Sequence, residues 1–248
     1  MMKWTVLGYQ SPYPGENGAT PGYLLEEDSY RVLIDCGSGV LAQLANYIEP
    51  YQLDAVILSH LHHDHIADFF VLQYAIMLAM KNGWRKKALP VWAPSSPAKW
   101  YKQLSYKTWI DLNPIQSDSS QKIGPFDFHF YQTDHGIPCY AMQISNGKTK
   151  ILYGADAGPQ TDWKRMSIEP DLFICEATFL EANRPEHLSG HLTAGLAAEA
   201  AAQIEAKHLL LTHLFPSMDP MQVKKEAIQR FEGICDVAEL GWSITMAK

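Results

Sequence analysis

Short apolar runs, many of them separated by turns rich in glycine, proline and asparagine, recur through the first 95 residues. Runs of this length that contain β-branched and aromatic residues predict strands. The predicted strands cover residues 3–7, 22–26, 30–35, 54–59 and 89–93. Helical spacing at Leu41, Leu44 and Ile48 predicts a helix that Pro50 ends, and residues 68–81 predict an amphipathic helix.

The second half of the chain alternates strands and helices in the same way. Strands are predicted at residues 126–131, 141–145, 150–153, 171–175 and 208–212, with Asn146-Gly147 as a hairpin turn. Helices are predicted at residues 193–206, capped by Thr193, and from Asp219-Pro220 through Phe231. Strands with interspersed helices in each half favour an α/β fold of two sheets packed face to face with helices outside. We expect residues 1–248 to form a single domain.

Composition places the chain among ordinary globular proteins, with 248 residues, of which 47% are hydrophobic and 19% charged. The net charge of −7 argues against non-specific binding to nucleic acid or to an anionic membrane. The four cysteines form no CxxC pair and lie in or beside apolar runs, which predicts buried free thiols. Neither a secretory signal nor an apolar run of about 20 residues is visible, which predicts a cytoplasmic protein without a membrane span.

Histidine and aspartate crowd one short segment directly after a predicted buried strand. Residues 59–65 read Ser-His-Leu-His-His-Asp-His, and imidazole and carboxylate are usual ligands of zinc and similar metals. Residues two apart in an extended segment project to the same side, so His60 and His62 form a chelating pair. Asp64 and His65, one step further along, can face a second point, so the segment can hold two ions. His63 is the member expected to be either a bystander or a support for one of the ligands.

Three further ligand candidates follow predicted strands elsewhere in the chain: His135, Asp156 and His213. Together they complete two ligand shells. In this hypothesis His60, His62 and His135 hold one metal, and Asp64, His65 and His213 hold the other, with Asp156 bridging. The sequence therefore predicts two divalent cations, with zinc as the expected metal and manganese or iron as alternatives.

The pattern HxHxDH followed by distant His, Asp and His resembles the metallo-β-lactamase superfamily. The resemblance runs from Leu7-Gly8 and the segment Ile34-Asp35-Cys36-Gly37 to His213, which is nearly the whole chain. It implies an αββα four-layer sandwich of two mixed sheets, with a dinuclear metal site at one sheet edge.

Three finer segments resemble ribonuclease Z and its phosphodiesterase relatives. They are Asp-His-Gly-Ile-Pro at residues 134–138, Cys-Glu-Ala-Thr-Phe at 175–179 and Ser-Gly-His-Leu-Thr-Ala at 189–194. In that branch a histidine at the position of His191 assists the leaving group; a capping role in the following helix is the alternative. Glu176 is either a support for a ligand or a structural hydrogen-bonding residue. Relatives in this branch are often dimers, which favours a homodimer.

Ribonuclease Z carries a long tRNA-gripping arm between the residues that match His135 and Asp156. Here those residues are only 21 positions apart, so no such arm fits and binding of a long tRNA is disfavoured. Residues 81–110 carry seven basic side chains, no acidic ones and several aromatic ones. Such a mixture suits a nucleotide, although a solvated helix face with inward-packed aromatics has the same composition.

These residues predict a metal-dependent hydrolase that acts on small phosphodiesters or nucleotides. Two cations about 3.5–4 Å apart can share a water and lower its pKa to near 7, which supplies a metal-bridged hydroxide. Asp64 would orient this nucleophile and His191 would protonate the departing oxygen. The alternatives are a lactonase or thioesterase, because the same hydroxide can attack a carbonyl, and a tRNA 3′-processing endonuclease.

Overall fold

The computed structural model describes residues 1–246, which form strands β1–β14 and helices α1–α7. The strands are β1 (Met2–Gly8), β2 (Gly22–Glu27), β3 (Tyr30–Ile34), β4 (Ala55–Ile57), β5 (Leu89–Pro94), β6 (Ile110–Ile115), β7 (Ser119–Ile123), β8 (Phe126–Gln132), β9 (Tyr140–Ser145), β10 (Lys150–Tyr153), β11 (Leu172–Glu176), β12 (His208–Thr212), β13 (Ile234–Val237) and β14 (Ser243–Met246). The helices are α1 (Val40–Leu44), α2 (His63–Ile66), α3 (Phe69–Lys81), α4 (Ala98–Leu104), α5 (Trp163–Met166), α6 (Ala194–Gln203) and α7 (Pro220–Ala227).

The described chain divides into two compact units, and the first contains residues 1–116 and 239–246. Its sheet has the strand order β14-β1-β2-β3-β4-β5-β6. The strands from β14 to β3 pair antiparallel, whereas β3 to β6 pair parallel. Strand β4 is buried along its whole length, as expected for a strand within a parallel stretch. Trp4 of β1 stacks on Tyr23 of β2, with ring centroids 5.1 Å apart.

The second unit contains residues 117–238 and has the strand order β13-β12-β11-β10-β9-β8-β7. Strands β7 to β10 pair antiparallel and β10 to β13 pair parallel. Phe126, Phe128 and Phe130 alternate with more exposed residues along β8, because successive side chains of a strand point to opposite faces. The buried strands β11 and β12 complete the apolar interior of this unit.

Strand direction determines where the polar residues of each unit collect. In the first unit β3 and β4 are parallel neighbours, so the residues that follow them lie at the same edge of the sheet. In the second unit β9 is antiparallel to both β8 and β10, so β8, β10, β11 and β12 all run in one direction. The residues after these strands therefore also meet at one edge, which is where the sequence places its histidines and acids.

Several element boundaries differ from the sequence prediction. The strand predicted at residues 30–35 ends at Ile34, because Asp35 adopts a left-handed φ of 56° that turns the chain away. The predicted strand at 54–59 is shortened to β4, and the helix predicted through Phe231 ends at Ala227. Helix α6 is shorter than predicted, but Thr193 caps it as expected, since its hydroxyl accepts a hydrogen bond from the Leu196 amide. The predictions did not include α2, α4, α5, β6, β7, β13 or β14.

Two mixed sheets of seven strands, each in a unit that also carries helices, confirm the predicted α/β class with two mixed sheets. Among residues 1–246, no helix combines the length and the apolar character needed to cross a membrane.

Candidate metal centre

The first unit brings four of the predicted ligands together immediately after β4. His60 Nε2 lies 3.1 Å from His62 Nδ1, and the rings of His60 and His65 have centroids 4.1 Å apart. Two nitrogens bound to one tetrahedral zinc at about 2.0–2.1 Å each would be about 3.3 Å apart, so the first pair has the spacing of two ligands on one cation.

Asp64 and His65 lie in the short helix α2, where the chain turns after the extended His60–His62 stretch. The distance from His65 Nε2 to Asp64 Oδ2 is 3.9 Å. Both the side chain and the backbone of Asp64 accept hydrogen bonds. Ser11 Oγ donates to its carboxylate (3.1 Å), and Thr20 Oγ1 donates to its backbone carbonyl oxygen (2.6 Å). The position of this carboxylate is therefore fixed by the first unit itself.

In the second unit Asp156 lies between two histidines, each following a different strand. Its Oδ2 is 3.7 Å from His135 Nε2, and its Oδ1 is 3.2 Å from His213 Nε2. All three side chains are almost fully buried. A carboxylate whose two oxygens face different imidazoles has the geometry of a bridging ligand, which is the part predicted for Asp156.

Hydrogen bonds at the far side of each ring orient the histidines of the second unit. His135 Nδ1 donates to the Gly190 carbonyl oxygen at 2.9 Å. Thr178 Oγ1 donates to Glu176 Oε2 at 2.6 Å, and it therefore accepts from His213 Nδ1 at 2.9 Å. These partners place the proton of each neutral ring on Nδ1, so Nε2 carries the lone pair that a metal requires.

His191 joins the same group through the carboxylate of Glu176. His191 Nδ1 lies 2.8 Å from Glu176 Oε1, and its ring lies 5.3 Å from that of His135 and 5.4 Å from that of His213. The Glu176 side chain is fully buried, whereas that of His191 is 28% exposed. The bond leaves Nε2 as the outward atom of the His191 ring. His191 also lies near enough to Asp156 and His213 for those three side chains to hold a cation together.

The donor set fits divalent metal cations. Each unit contributes imidazoles whose Nδ1 atoms lie within hydrogen-bond distance of oxygen atoms, together with a carboxylate. Nitrogen and oxygen donors of this kind suit zinc, manganese and iron alike. The buried side chains in both groups are polar, and without a cation their burial would cost several kcal/mol of desolvation, on the order given by transfer data.

Half of residues 81–110 are exposed, but some of the polar side chains in this segment have structural roles. The Arg85 guanidinium donates to four backbone carbonyls, those of Tyr51, Leu53, Lys87 and Ala88, and burial lowers its pKa. His63 is exposed and packs edge-on against Trp100, with centroids 4.7 Å apart, and Lys99 lies over the same indole ring. This part of the segment is therefore adjacent to the His60–His65 stretch within the first unit.

Asp35 is the main supporting residue that the sequence analysis did not identify. Its carboxylate accepts from Ser59 N, Ser59 Oγ and His65 Nδ1, all within 2.8 Å. The role of Asp35 could have been predicted from the sequence. Asp35 follows β3, which pairs in parallel with β4, so it lies at the same edge of the sheet as the residues that follow β4. Thr178 and Ser59 were also not predicted, and neither could be distinguished by residue type from other hydroxyl residues at strand ends.

No cysteine is a ligand candidate in either group, although Cys139 Sγ donates to the Asp156 carbonyl oxygen at 3.4 Å. All four are free and buried, as predicted. Burial raises the pKa of the Cys36 and Cys175 thiols well above their ordinary value and raises that of Cys235 to about 11. A thiol with a raised pKa remains protonated at neutral pH and is a poor nucleophile or ligand.

Comparison with known proteins gives a consistent picture over most of the chain. A family model described as the beta-lactamase superfamily domain matches residues 30–214. The chain is 37% identical to the probable metallo-hydrolase YhfI of Bacillus subtilis over 241 residues, which is 97% of this chain and 98% of that protein. The crystal structure of YhfI, described as a metallo-beta-lactamase fold protein, superposes with a TM-score of 0.94 and covers 98% of both chains.

Two more distant structures share the fold. The short form of human tRNase Z has a TM-score of 0.78 at 20% identity and covers 99% of this chain and 100% of its own. A diphosphatase from the PhnP family has a TM-score of 0.76 at 16% identity and covers 100% of this chain and 98% of its own.

Proposed function

The chain belongs to the metallo-β-lactamase superfamily as a metallo-hydrolase, and from this premise we propose that it is a phosphodiesterase acting on small phosphodiesters or nucleotides. The observation that carries the proposal is the arrangement of the second unit, where Asp156 faces two histidines and His191 is held beside them. That arrangement combines a bridging carboxylate with a positioned proton donor.

We propose that the two groups of side chains hold the same pair of cations, with zinc as the metal. The ligands would be His60, His62, Asp64, His65, His135, Asp156 and His213. When bound, such cations supply a water of lowered pKa and stabilise negative charge on phosphoryl oxygens. Superfamily membership supports the shared site, and so does the preorganised tautomer of the rings in each unit. A single domain over residues 1–248 is part of this proposal.

His191 is the proposed general acid. Its Nδ1 lies 2.8 Å from Glu176 Oε1, and the His191 side chain is more exposed than those of His135 and His213. A proton on the outward Nε2 can therefore pass to the oxygen that leaves phosphorus, a contribution typical of a positioned imidazole. Asp64, held by Ser11, would orient the attacking water as well as bind metal.

The substrate is expected to be small. The residues between His135 and Asp156 are taken up by β9, a turn at Asn146-Gly147 and β10, which pair as a hairpin. An arm that could grip a tRNA is not present in this interval, and the acidic net charge of −7 disfavours long nucleic acids. The proposed location is the cytoplasm, which the four free cysteines support.

The proposal is tested with protein that has been stripped of metal and reloaded with zinc or manganese. Hydrolysis of bis-p-nitrophenyl phosphate should appear with the added metal, and His65→Ala should abolish it. His63→Ala is the matched control, because this neighbouring histidine is exposed and packs against Trp100, and its activity should remain near that of the unmodified protein.

A carbonyl hydrolase is the alternative reading of the same ligands. Metal-loaded protein that is inert to every phosphodiester but cleaves lactones or thioesters would contradict the phosphodiesterase proposal. Cleavage of precursor tRNA at submicromolar protein, falling steeply with salt, would instead indicate tRNA 3′-end processing.

A second copy of the chain is the proposed partner. Helix α3 exposes Val71, Tyr74 and Leu78 on one face, and no residue from Phe69 to Met80 carries a charge. Two copies of an acidic protein can therefore meet through this neutral face without like-charge repulsion. Tyr74→Glu should convert a dimer to a monomer in light scattering, whereas Met221→Glu on the exposed part of α7 should not. A monomer at all concentrations before substitution would refute the dimer.

A further inference from the structure

We propose that Trp100 and Lys99 form a substrate subsite in the first unit, where the indole stacks on a nucleobase and the ammonium group attracts the phosphate. The inference deepens the proposed function, because it narrows the small phosphodiesters to those that carry a nucleoside. It rests on that function for the place of the reaction, whereas the contacts that define the subsite lie within residues 1–116.

The topology of the first sheet places Trp100 at the same edge as the candidate ligands. Strand β5 pairs in parallel with β4, so the residues that follow β5 lie beside those that follow β4. The residues after β5 include α4 with Lys99 and Trp100, and those after β4 include His60–His65. A direct contact agrees with this placement, since the Trp100 ring meets the His63 ring edge-on with centroids 4.7 Å apart.

Helix α4 is anchored on α3 by a buried side chain. Gln73 Nε2 donates to the carbonyl oxygens of Gln103 (2.8 Å) and Leu104 (2.9 Å), at the end of α4. Near the start of the helix, the Trp100 amide donates to the Pro97 carbonyl oxygen at 3.0 Å. Both ends of α4 are therefore fixed, which lowers the ordering cost when a ligand stacks on Trp100.

The Trp100 ring combines an aromatic surface with a nearby cation. The ring is half-buried, and Lys99 Nζ lies 5.1 Å from its centroid. The Lys99 side chain is exposed, and its flexible four-carbon stem allows the ammonium group to move from the indole to a phosphate oxygen. A nucleotide carries the complementary pair of groups, a base with a π-face and an anionic phosphate. A simple lactone or thioester carries neither.

The charge of the surrounding segment favours the same class of ligand. No acidic residue occurs from Phe69 to Ile110, although the whole chain has a net charge of −7. Lys102 is exposed on the same helix as Lys99. Exposed cations of this kind attract an anionic ligand through a field that salt screens. Binding at this subsite should therefore weaken as the salt concentration rises.

Trp84 is a matched control from the same basic segment. It is exposed and packs against Tyr51, with ring centroids 5.7 Å apart. Trp84 precedes β5 and Tyr51 precedes β4, so both lie at the opposite edge of the sheet from the residues that follow these strands. The exposed Lys86 lies beside Trp84 in the chain and is the matched control for Lys99.

Calorimetry with the full-length, zinc-loaded protein tests the subsite by binding. The probes are AMP and ribose 5-phosphate, which carry the same phosphate with and without a base. Trp100→Ala should weaken AMP binding about 5–150-fold, the range for loss of one stacked base, and leave ribose 5-phosphate binding unchanged. Lys99→Ala should weaken binding of both probes about 2–5-fold at low salt and less at high salt. Trp84→Ala and Lys86→Ala should bind both probes as the unmodified protein does.

Kinetics provide a second measurement. Thymidine 5′-(p-nitrophenyl phosphate) and methyl p-nitrophenyl phosphate share a leaving group, but only the first carries a nucleoside. Trp100→Ala should raise KM for the thymidine diester with kcat nearly unchanged, because the stack forms in the bound substrate and persists in the transition state. KM for the methyl diester should not change. Trp100→Phe, which keeps an aromatic ring, should restore most of the lost affinity.

AMP that does not bind the unmodified protein would overturn the proposal. So would a Trp100→Ala protein in which the affinities for AMP and ribose 5-phosphate change equally or not at all. If Trp100→Ala does not fold, Trp100→Leu takes its place, because leucine keeps apolar bulk without a π-face.

The two measurements separate this inference from the proposed function. Selective loss of AMP binding in a protein that cleaves no phosphodiester would refute the proposed function and leave the subsite standing. Phosphodiester cleavage with a KM for the thymidine diester that does not depend on Trp100 would refute the subsite and leave the proposed function standing.

Discussion

Removal of the His191 imidazole should slow phosphodiester cleavage by an amount that depends on the leaving group. His191→Ala deletes the ring that Glu176 Oε1 holds at 2.8 Å, while the neighbouring His135 and His213 keep their own acceptors. Glu176 retains hydrogen bonds from the amides of Ala157 and Leu192, so its position does not depend on His191. The substitution therefore removes the proposed proton donor and leaves the proposed ligands His135 and His213 in place.

The expected size of the effect follows from the role of a positioned imidazole. General acid catalysis contributes about 10²–10⁴-fold, which is about 3–5 kcal/mol at 1.36 kcal/mol for each factor of ten. An alkoxide leaving group needs the proton, so the whole penalty should appear for a diester with an alkyl or ribose oxygen. p-Nitrophenolate leaves readily as an anion, so the loss for bis-p-nitrophenyl phosphate should be less than about tenfold, a small part of that contribution.

The assay compares kcat/KM on a p-nitrophenyl diester and on an alkyl diester for the unmodified protein, His191→Ala and His187→Ala. His187 is exposed and belongs to the same loop before α6, so its variant should match the unmodified protein on both substrates. Bound metal is measured in each preparation. Equal losses on both diesters at full metal content would refute the assignment of His191 as the proton donor.

Two further predictions concern stability. Zinc at 100 times its Kd should stabilise the fold by about 2.7 kcal/mol, which for a domain of about 150–250 residues raises Tm by roughly 5–10 °C. Calorimetry with and without chelator measures this shift. The same shift in His65→Ala would contradict the ligand assignment. Gly37→Ala should lower the free energy of unfolding by about 1–3 kcal/mol, because a Cβ there would overlap the Asp64 carbonyl oxygen and the Thr20 hydroxyl. Gly136→Ala, where a Cβ meets no atom within 4 Å, is the control in urea unfolding, and equal losses in the two variants would refute the steric reason.

Much of the fold could be predicted because its strands are short, apolar and bounded by turn residues. Strand β12 was placed at its observed bounds, and β4 lies within its predicted range, since both are buried along their whole length. Strand β7 was missed because it reads Ser-Ser-Gln-Lys-Ile and pairs on one side only, at the edge of its sheet. Its strand conformation depends on pairing with β8, a tertiary contact that the local pattern does not encode.

The candidate ligands could be predicted for a different reason. Imidazole and carboxylate are common metal ligands, and residues 60–65 contain four histidines and one aspartate, so residue type alone marked this segment. The supporting groups were harder to identify, because Asp35 and Thr178 belong to strand ends that sequence separates from the ligands they touch. Only the parallel pairing of β3 with β4, and of β11 with β12, brings them to the rings.

Anomalous diffraction from crystals of the full-length protein grown with zinc tests the central claim most directly. The account predicts two peaks about 3.5–4 Å apart. One peak should be ligated by His60, His62 and His135, the other by Asp64, His65 and His213, with Asp156 in contact with both. Zinc peaks ligated by the histidines of only one unit would contradict this account. So would full zinc loading at other residues while these seven side chains point to separate places.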